Sequence, residues 1–320
     1  MRRTALALLM TLAVVAAAAA QSASWPDRPI HLIVPFPAGS SSDIVARIVA
    51  QKLGERLGQQ LVVENRPGAS GNLGTEAVAH AAADGYTLGL ANTSTLTLSP
   101  SLMAKPAYDP VKDFVPISMI GASPFVLALY PDVLATSVQE LVSLAKTKPL
   151  TFASAGPATL ANLAGVLFAK TAHIELTPVS YRGSGQEILD VVAGRVDMAF
   201  ATIPPTLPLI RDGKVRAIAV TGPQRSPALA DVPTVAESGL PGYESVLWWA
   251  LYAPVGTPAP IVTRLNTEVN AILHDSAAVE ALAKLGVEAQ PGTAQQLADR
   301  ISADLKKWHD VIVSTGIQPQ

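Results

Sequence analysis

The 320-residue sequence contains no cysteine. That excludes disulfides, thiolate metal sites and cysteine nucleophiles together, and with them a lipid anchor on a processed N-terminal cysteine. Charged residues make up only 15 % of the chain and never form a run of one sign. A nucleic-acid surface needs a basic stripe, and the dispersed Lys and Arg argue against a nucleic-acid partner. Histidine is scarce: His31, His80, His173, His274 and His309 form no H-E-x-x-H pattern and no cluster. No metal site and no cofactor is expected.

Long hydrophobic runs are missing too, with one exception at the start. Arg2 and Arg3 precede "ALALLMTLAVV" and a run of alanines ending at Ala20. A basic n-region, an apolar stretch too short to span a bilayer and small residues before the break make a secretory signal. Cleavage is expected after about Ala20, giving a soluble, exported chain of periplasmic location. An uncleaved anchor is the alternative. Without residues 1–20 the chain carries 21 basic against 25 acidic side chains, a balance of −4. The remaining length exceeds what one core usually serves, so two domains are expected.

What the chain does have is alternation. "IHLIV" (30–34), "LVVE" (61–64) and "TLGLA" (87–91) read as strands, with helices over 44–53 and "GTEAVAHAAA" between them. This predicts a parallel sheet with helices on both faces. A long extended stretch with three prolines, "FVPISMIGASPFVLALYP" (114–131), follows. A second alternating set then runs through "LTFAS", "LTPVSY" and "VDMAFA" to "VRAIAVTG" (215–222). After another extended, proline-bearing segment (223–245) come "WWALYAP" and helices starting near Pro260 and Thr293. In the last of these Leu297, Ile301, Leu305, Trp308 and Ile312 share one face, so it packs on a core. The expected arrangement is two α/β lobes joined by two crossover segments around a cleft. Residues 25–121 with 226–320 form one lobe, and 122–225 the other.

Ligands of such sheets sit outside the carboxyl ends of the strands, so the loops there matter most. The first, "PFPAGSSSD" (35–43), offers Phe36, a bare Ala38-Gly39 corner and Ser40 to Asp43 at the start of a helix. Helix-terminal N–H groups lack intrahelical partners and carry the positive end of the dipole, so a small anion fits there without Lys or Arg. A capped turn with no ligand is the plainer alternative. Asp43 could cap its helix or meet a ligand. Similar Gly-, Ser-, Thr-, Asn- or Pro-rich stretches follow the other strands: 65–72, "NTSTLT" (92–97), "SAGPATLAN" (154–162), "YRGSGQE" (181–187) and "ATIPPT" (201–206). Arg66 and Arg182 are their only basic residues. Trp248 and Trp249 read as packing, though either could wall an apolar part of a ligand.

Enzyme readings fare worse. No serine lies in G-x-S-x-G, and although Ser40, Ser41 and Ser42 sit on a strand-to-helix turn, no histidine falls in these loops to act as base. "GASGNLG" (68–74) spaces its glycines unlike a dinucleotide loop. A site without a reactive group favours binding over turnover, so the chain is not expected to be an enzyme.

Several segments resemble one family: "WPDRPIHLIVPFPAGSSSDIVARIVAQKL", "VVENRPGASGNLGTEAVAHAAADGYTL", "YDPVKDFVPI", "VSYRGSGQEILDVVAGRVDMAF", "VRAIAVTGPQRSPALADVPTVAESGLPGYE" and "APVGTPAPIVTRLN". They are similar to the Bug-type receptors, the extracytoplasmic solute-binding proteins of tripartite tricarboxylate transporters. The resemblance implies an α/β periplasmic-binding-protein fold, type II-like. It implies a carboxylate ligand, such as a dicarboxylate, an aromatic carboxylate or an acidic amino acid, delivered to a membrane permease by a monomeric receptor. A sensor presenting the same ligand to a signalling partner is the alternative role. The resemblance also implies that the loop matching Pro37–Asp43 and the strand ends facing it hold the carboxylate. The ligand-binding residues expected are therefore Phe36, Ala38, Gly39, Ser40 and Asp43, then Asn92, Thr93 and Ser94, and across the cleft Ser154, Thr159, Tyr181 and Thr202. Three departures touch this pocket. Ser40 stands where a second glycine is usual, Asn162-Leu163 replaces a His-Leu pair, and Ala201-Thr202 replaces an aspartate. The last implies weaker selection for an ammonium-bearing ligand.

Overall fold

The computed structural model describes residues 25–181 and 184–315. The expected signal segment and Arg182 lie outside the described residues. The first strands appear where the β-branched runs predict them: β1 (Ile30–Val34), β2 (Leu61–Asn65) and β3 (Thr87–Asn92), with β1 parallel to both others. Between them lie α1 (Ser41–Leu57) and α2 (Asn72–Ala79). The alanine run in "GTEAVAHAAA" does not extend α2, which ends at His80, whose N–H bonds back to the Glu76 carbonyl.

"NTSTLT" is not a loop. β3 passes straight into a wide helical turn (Ser94–Leu98) and a short α3 (Ser99–Leu102), with Thr97 Oγ1 donating to the Thr93 carbonyl at 2.6 Å.

β4 (Phe114–Leu129) is the longest strand and changes neighbours midway. Its residues 114–124 pair antiparallel with β9 (Val246–Pro254), whereas Phe125–Leu129 pair with β7 (Met198–Thr202). Proline cannot donate to a ladder, so it is confined to edges and irregularities. Pro116 flanks a register shift and Pro124 stands at the change of partner.

The second set comprises α4 (Val138–Ala145), β5 (Thr151–Ser154), α5 (Leu160–Ala172), β6 (Thr177–Ser180) and α6 (Ser184–Val192). After β7 come α7 (Ile203–Arg211) and β8 (Arg216–Val220). β5 lies parallel to β6 and β7, whereas β4 is antiparallel to β7 and β8. The chain ends in α8 (Ala259–His274), α9 (Ser276–Ala283), the two-residue β10 (Glu288–Ala289) and α10 (Ala294–Thr315).

The sheet is thus mixed rather than parallel, in the order β2-β1-β3-β9-β4-β7-β5-β6, with β8 and β10 also on β4. The two long strands that join its halves run against their neighbours, which local alternation could not predict. One apolar cluster runs from Ile30 and Leu53 through Leu127 and Phe200 to Trp249. On α10, Leu297, Ile301, Trp308 and Ile312 are buried as their spacing requires.

Segment 223–245 is not extended. It holds a short 3-10 turn (Pro227–Leu229), and Thr234 bridges to Val220 of β8. Tyr243 OH donates to the Ala164 carbonyl and Gln139 Nε2 to that of Ser238, each at 2.8 Å. Residues 226–245 therefore pack on α4, α5 and β8, and the chain returns to the first half of the sheet at Val246. Thr221 pins the crossing, exchanging bonds with the Phe125 backbone and accepting the Ser245 N–H at its carbonyl.

Candidate functional site

The carboxyl ends of β1, β3, β5 and β7 converge, and the helices that follow them begin there. Between the two halves of the sheet lies a small, partly open cavity of about 30 Å³. A wider groove lined by Arg47, Gln51, Gln59 and Val63 lies open to solvent on the outer face of α1 and β2, away from these strand ends.

Ser40 caps α1, its Oγ accepting from Asp43 N at 3.3 Å, and the Asp43 carboxylate accepts the Gly39 N–H at 2.9 Å. This reciprocal arrangement satisfies two otherwise orphaned donors. Gly39 has φ +77°, a conformation that favours glycine. Asp43 also accepts from Asn65 Nδ2 at 2.9 Å and pairs with Arg47, while Asn65 Nδ2 donates to the Phe36 carbonyl at 3.0 Å. Burial would raise its pKa, but the bonds from Arg47, Gly39 and Asn65 outweigh it and hold the carboxyl below its ordinary value. Its oxygens serve the loop and the start of α1.

Of the expected residues, Phe36, Ser40, Asn92, Ser94, Thr159 and Thr202 line the cavity. The others do not, each for a physical reason. Ala38 and Gly39 turn outward to solvent, and Asp43 is engaged as described. Thr93 faces the neighbouring strand, where its Oγ1 accepts the Trp248 N–H at 3.0 Å. Ser154 Oγ lies 3.4 Å from Asn162 Oδ1, and Tyr181 OH donates to Asp190 at 2.9 Å. Trp248 and Trp249 are wholly buried. The first donates to Asp304 at 2.7 Å and the second to Ser42 Oγ at 3.1 Å, so neither lines the cavity.

The two halves meet across this site. Ser94 Oγ accepts the N–H of Leu160, the first residue of α5, at 3.0 Å. Thr159 caps that helix through Asn162 N, and Asn162 Nδ2 donates to the Pro157 carbonyl, bracing the turn where the resemblance places a histidine. A Cβ built on Gly185 would lie 3.4 Å from the Gly39 carbonyl oxygen, and one on Gly156 would lie 2.7 Å from Ser70 Oγ. The starts of α1, α5, α6 and α7 thus surround the cavity.

The wall also holds residues not singled out as ligand-binding from sequence: Ser41, Ser42, Ala155, Ala161 and Glu187 from the named loops, and Phe125 and Leu247 from outside them. Glu187 is fully buried, and burial pushes its carboxyl up to about 8. A signal existed for it. In "GQEILDVVAG" Glu187 stands beside Ile188 and four residues before Val191, on the stripe that packs inward. Among the described residues no group of three metal-ligating side chains occurs, and no histidine lines the cavity.

Comparison with known proteins agrees with this architecture. Residues 45–317 match the family described as "Tripartite tricarboxylate transporter family receptor". Protein BugT of Bordetella pertussis is 38 % identical over 303 residues, covering 94 % of this chain and 93 % of its own. A structure of R. palustris Rpa4515 with adipate superposes with a TM-score of 0.91 at 35 % identity, covering 93 % of this chain and all of that one. The periplasmic binding protein BugD gives 0.87 at 32 %, covering 92 % and 100 %. These matches bear out the expected periplasmic-binding-protein fold. The chain belongs to the receptor family of the tripartite tricarboxylate transporters, the Bug-type solute-binding proteins.

Proposed function

We propose that this receptor captures a small organic carboxylate in the cavity at the start of α1 and delivers it to a membrane permease. One observation carries the reading: helix N-termini and the hydroxyls of Ser40, Ser42, Ser94 and Thr159 converge on a small cavity with no Lys or Arg on its wall among the described residues. Oriented peptide dipoles and hydroxyls suit an anion there. Rpa4515, alike over its whole length, holds adipate. The twelve residues expected from sequence reduce to Phe36, Ser40, Asn92, Ser94, Thr159 and Thr202 as ligand-facing groups, joined by Ser41 and Ser42.

In this reading residues 30–124 with 246–315 move as one lobe and 125–245 as the other, closing on the ligand, and the closed form is what the permease recognises. The protein acts by binding rather than turnover, a reading supported by its membership of a receptor family. Residues 1–20 direct export and are removed, leaving a periplasmic protein.

A thermal-shift screen of the mature chain, refolded to strip carried-over ligand, tests the central claim. A carboxylate at a hundred times its Kd should add about 2.7 kcal/mol, a rise of a few degrees at this size. Silence across dicarboxylates, aromatic acids and amino acids, with the protein folded, would sink it. Intact mass after expression with residues 1–20 present should correspond to a chain starting at Gln21.

A further inference from the structure

Two polar side chains on the cavity wall have no partner. Both carboxyl oxygens of Glu187 and Oγ1 of Thr202 are buried without a hydrogen bond. Burying an unpaired polar group is costly, and both stand where a ligand would complete them. Among the described residues Glu187 is also the only titratable side chain on the wall. Facing it from the first half of the sheet are donors, namely the first turn of α1 and the hydroxyls of Ser40, Ser42 and Ser94.

We infer that Glu187 and Thr202 form an ammonium subsite, so that the ligand is an amino carboxylate. A primary ammonium has three donors and no acceptor. The wall offers three unpartnered oxygens: Glu187 Oε1, Glu187 Oε2 and Thr202 Oγ1. This deepens the carboxylate reading and rests on it, the carboxylate lying at the helix N-termini. It also reverses the expectation drawn from Ala201-Thr202, because α6 supplies the acidic group that β7 lacks.

The surroundings leave Glu187 free for this role. Tyr181, close enough to feel its charge, is bonded to Asp190, which pairs with Arg195. Asp43 on α1 is held by Arg47. Thr159 and Ala161 of α5, Phe125 of β4 and Leu247 of β9 bring no charge. Burial keeps the Glu187 proton on. Binding an ammonium ion drives that proton to solvent, one per ligand, so affinity rises with pH until Glu187 ionises unaided.

Titration calorimetry on the mature chain, with pairs differing only in the amino group, tests this. Suitable pairs are L-glutamate and glutarate, L-alanine and propionate, and 4-aminobutyrate and butyrate, each at pH 6 and pH 8. The amino member of at least one pair should bind about tenfold tighter or more than its partner. It should tighten towards pH 8 and, in buffers of different ionisation heat, release close to one proton at pH 6. Glu187→Gln should abolish the preference and the proton release, and Thr202→Val should weaken the amino member selectively. Should Glu187→Gln fail to fold by circular dichroism, the proton count and Thr202→Val decide. Equal or tighter binding of the plain acids overturns the ammonium subsite and leaves the carboxylate reading intact. If nothing in either series binds, both fall.

Discussion

Exchanging the Glu187 carboxyl for an amide of the same shape isolates what burying that acid costs the fold. Its pKa rises from 4.5 to about 8 on folding. Between those values the folded chain holds a proton that the unfolded chain has lost, so stability falls as pH rises through this window. Urea unfolding at pH 5 and pH 8 should show the wild type losing more stability than Glu187→Gln over that interval. Parallel slopes would mean that the group is not buried as described. The cap at α1 makes a second expectation. Ser40→Ala removes the acceptor for Asp43 N and should cost about 1 kcal/mol, read as a lower urea midpoint with unchanged slope. At this scale the sequence was half legible. Asp43 follows Ser40 at capping-box spacing, which left a cap and a ligand contact both open; its bonds from Gly39, Asn65 and Arg47 appear only in the fold. Thr93 could not be placed, because its partner is Trp248, distant in the chain and adjacent only once β3 meets β9.

Among the elements, the strands and helices with clear periodicity stand where their patterns put them, α10 and β1 to β3 above all. The misreadings share one cause. Where a strand ends and a helix starts without a spacer, as at Asn92 and Thr202, Gly-, Ser- and Pro-rich composition resembles a loop although the backbone is already helical. Proline is tolerated in a first helical turn, where its missing N–H has no partner to lose. "ATIPPT" is therefore a helix start rather than a break. The β3–β9 contact is tight enough to test. A Cβ on Gly89 would fall 2.3 Å from the Tyr252 ring, which is fully buried. Gly89→Ala should therefore destabilise by about 1–3 kcal/mol through overpacking, and additional Tyr252→Leu should recover part of the loss. No recovery would show that the clash lies elsewhere.

For the whole molecule, alternation and two proline-bearing crossings foretold two α/β units, but not how the crossings are built. The first is the interior of one strand, and the second is the step from Ser245, bonded to Thr221, into Val246. Their pairing joins residues far apart in the chain, such as Phe114 with Pro254 and Phe125 with both Thr202 and Thr221, to which local patterns are blind. The closed arrangement rests in part on Ser94 Oγ holding the Leu160 N–H. In the proposed two-lobe reading, Ser94→Ala should raise the radius of gyration of the ligand-free protein in X-ray scattering, and saturating ligand should reverse the rise. Equal radii in all states would argue that the halves do not part. The continuous β4 has a mechanical consequence. In the proposed two-lobe reading, β4 runs unbroken through the boundary and exchanges β9 for β7 there, so opening the cleft would deform this one strand where its ladder changes partner rather than swing on a loose linker.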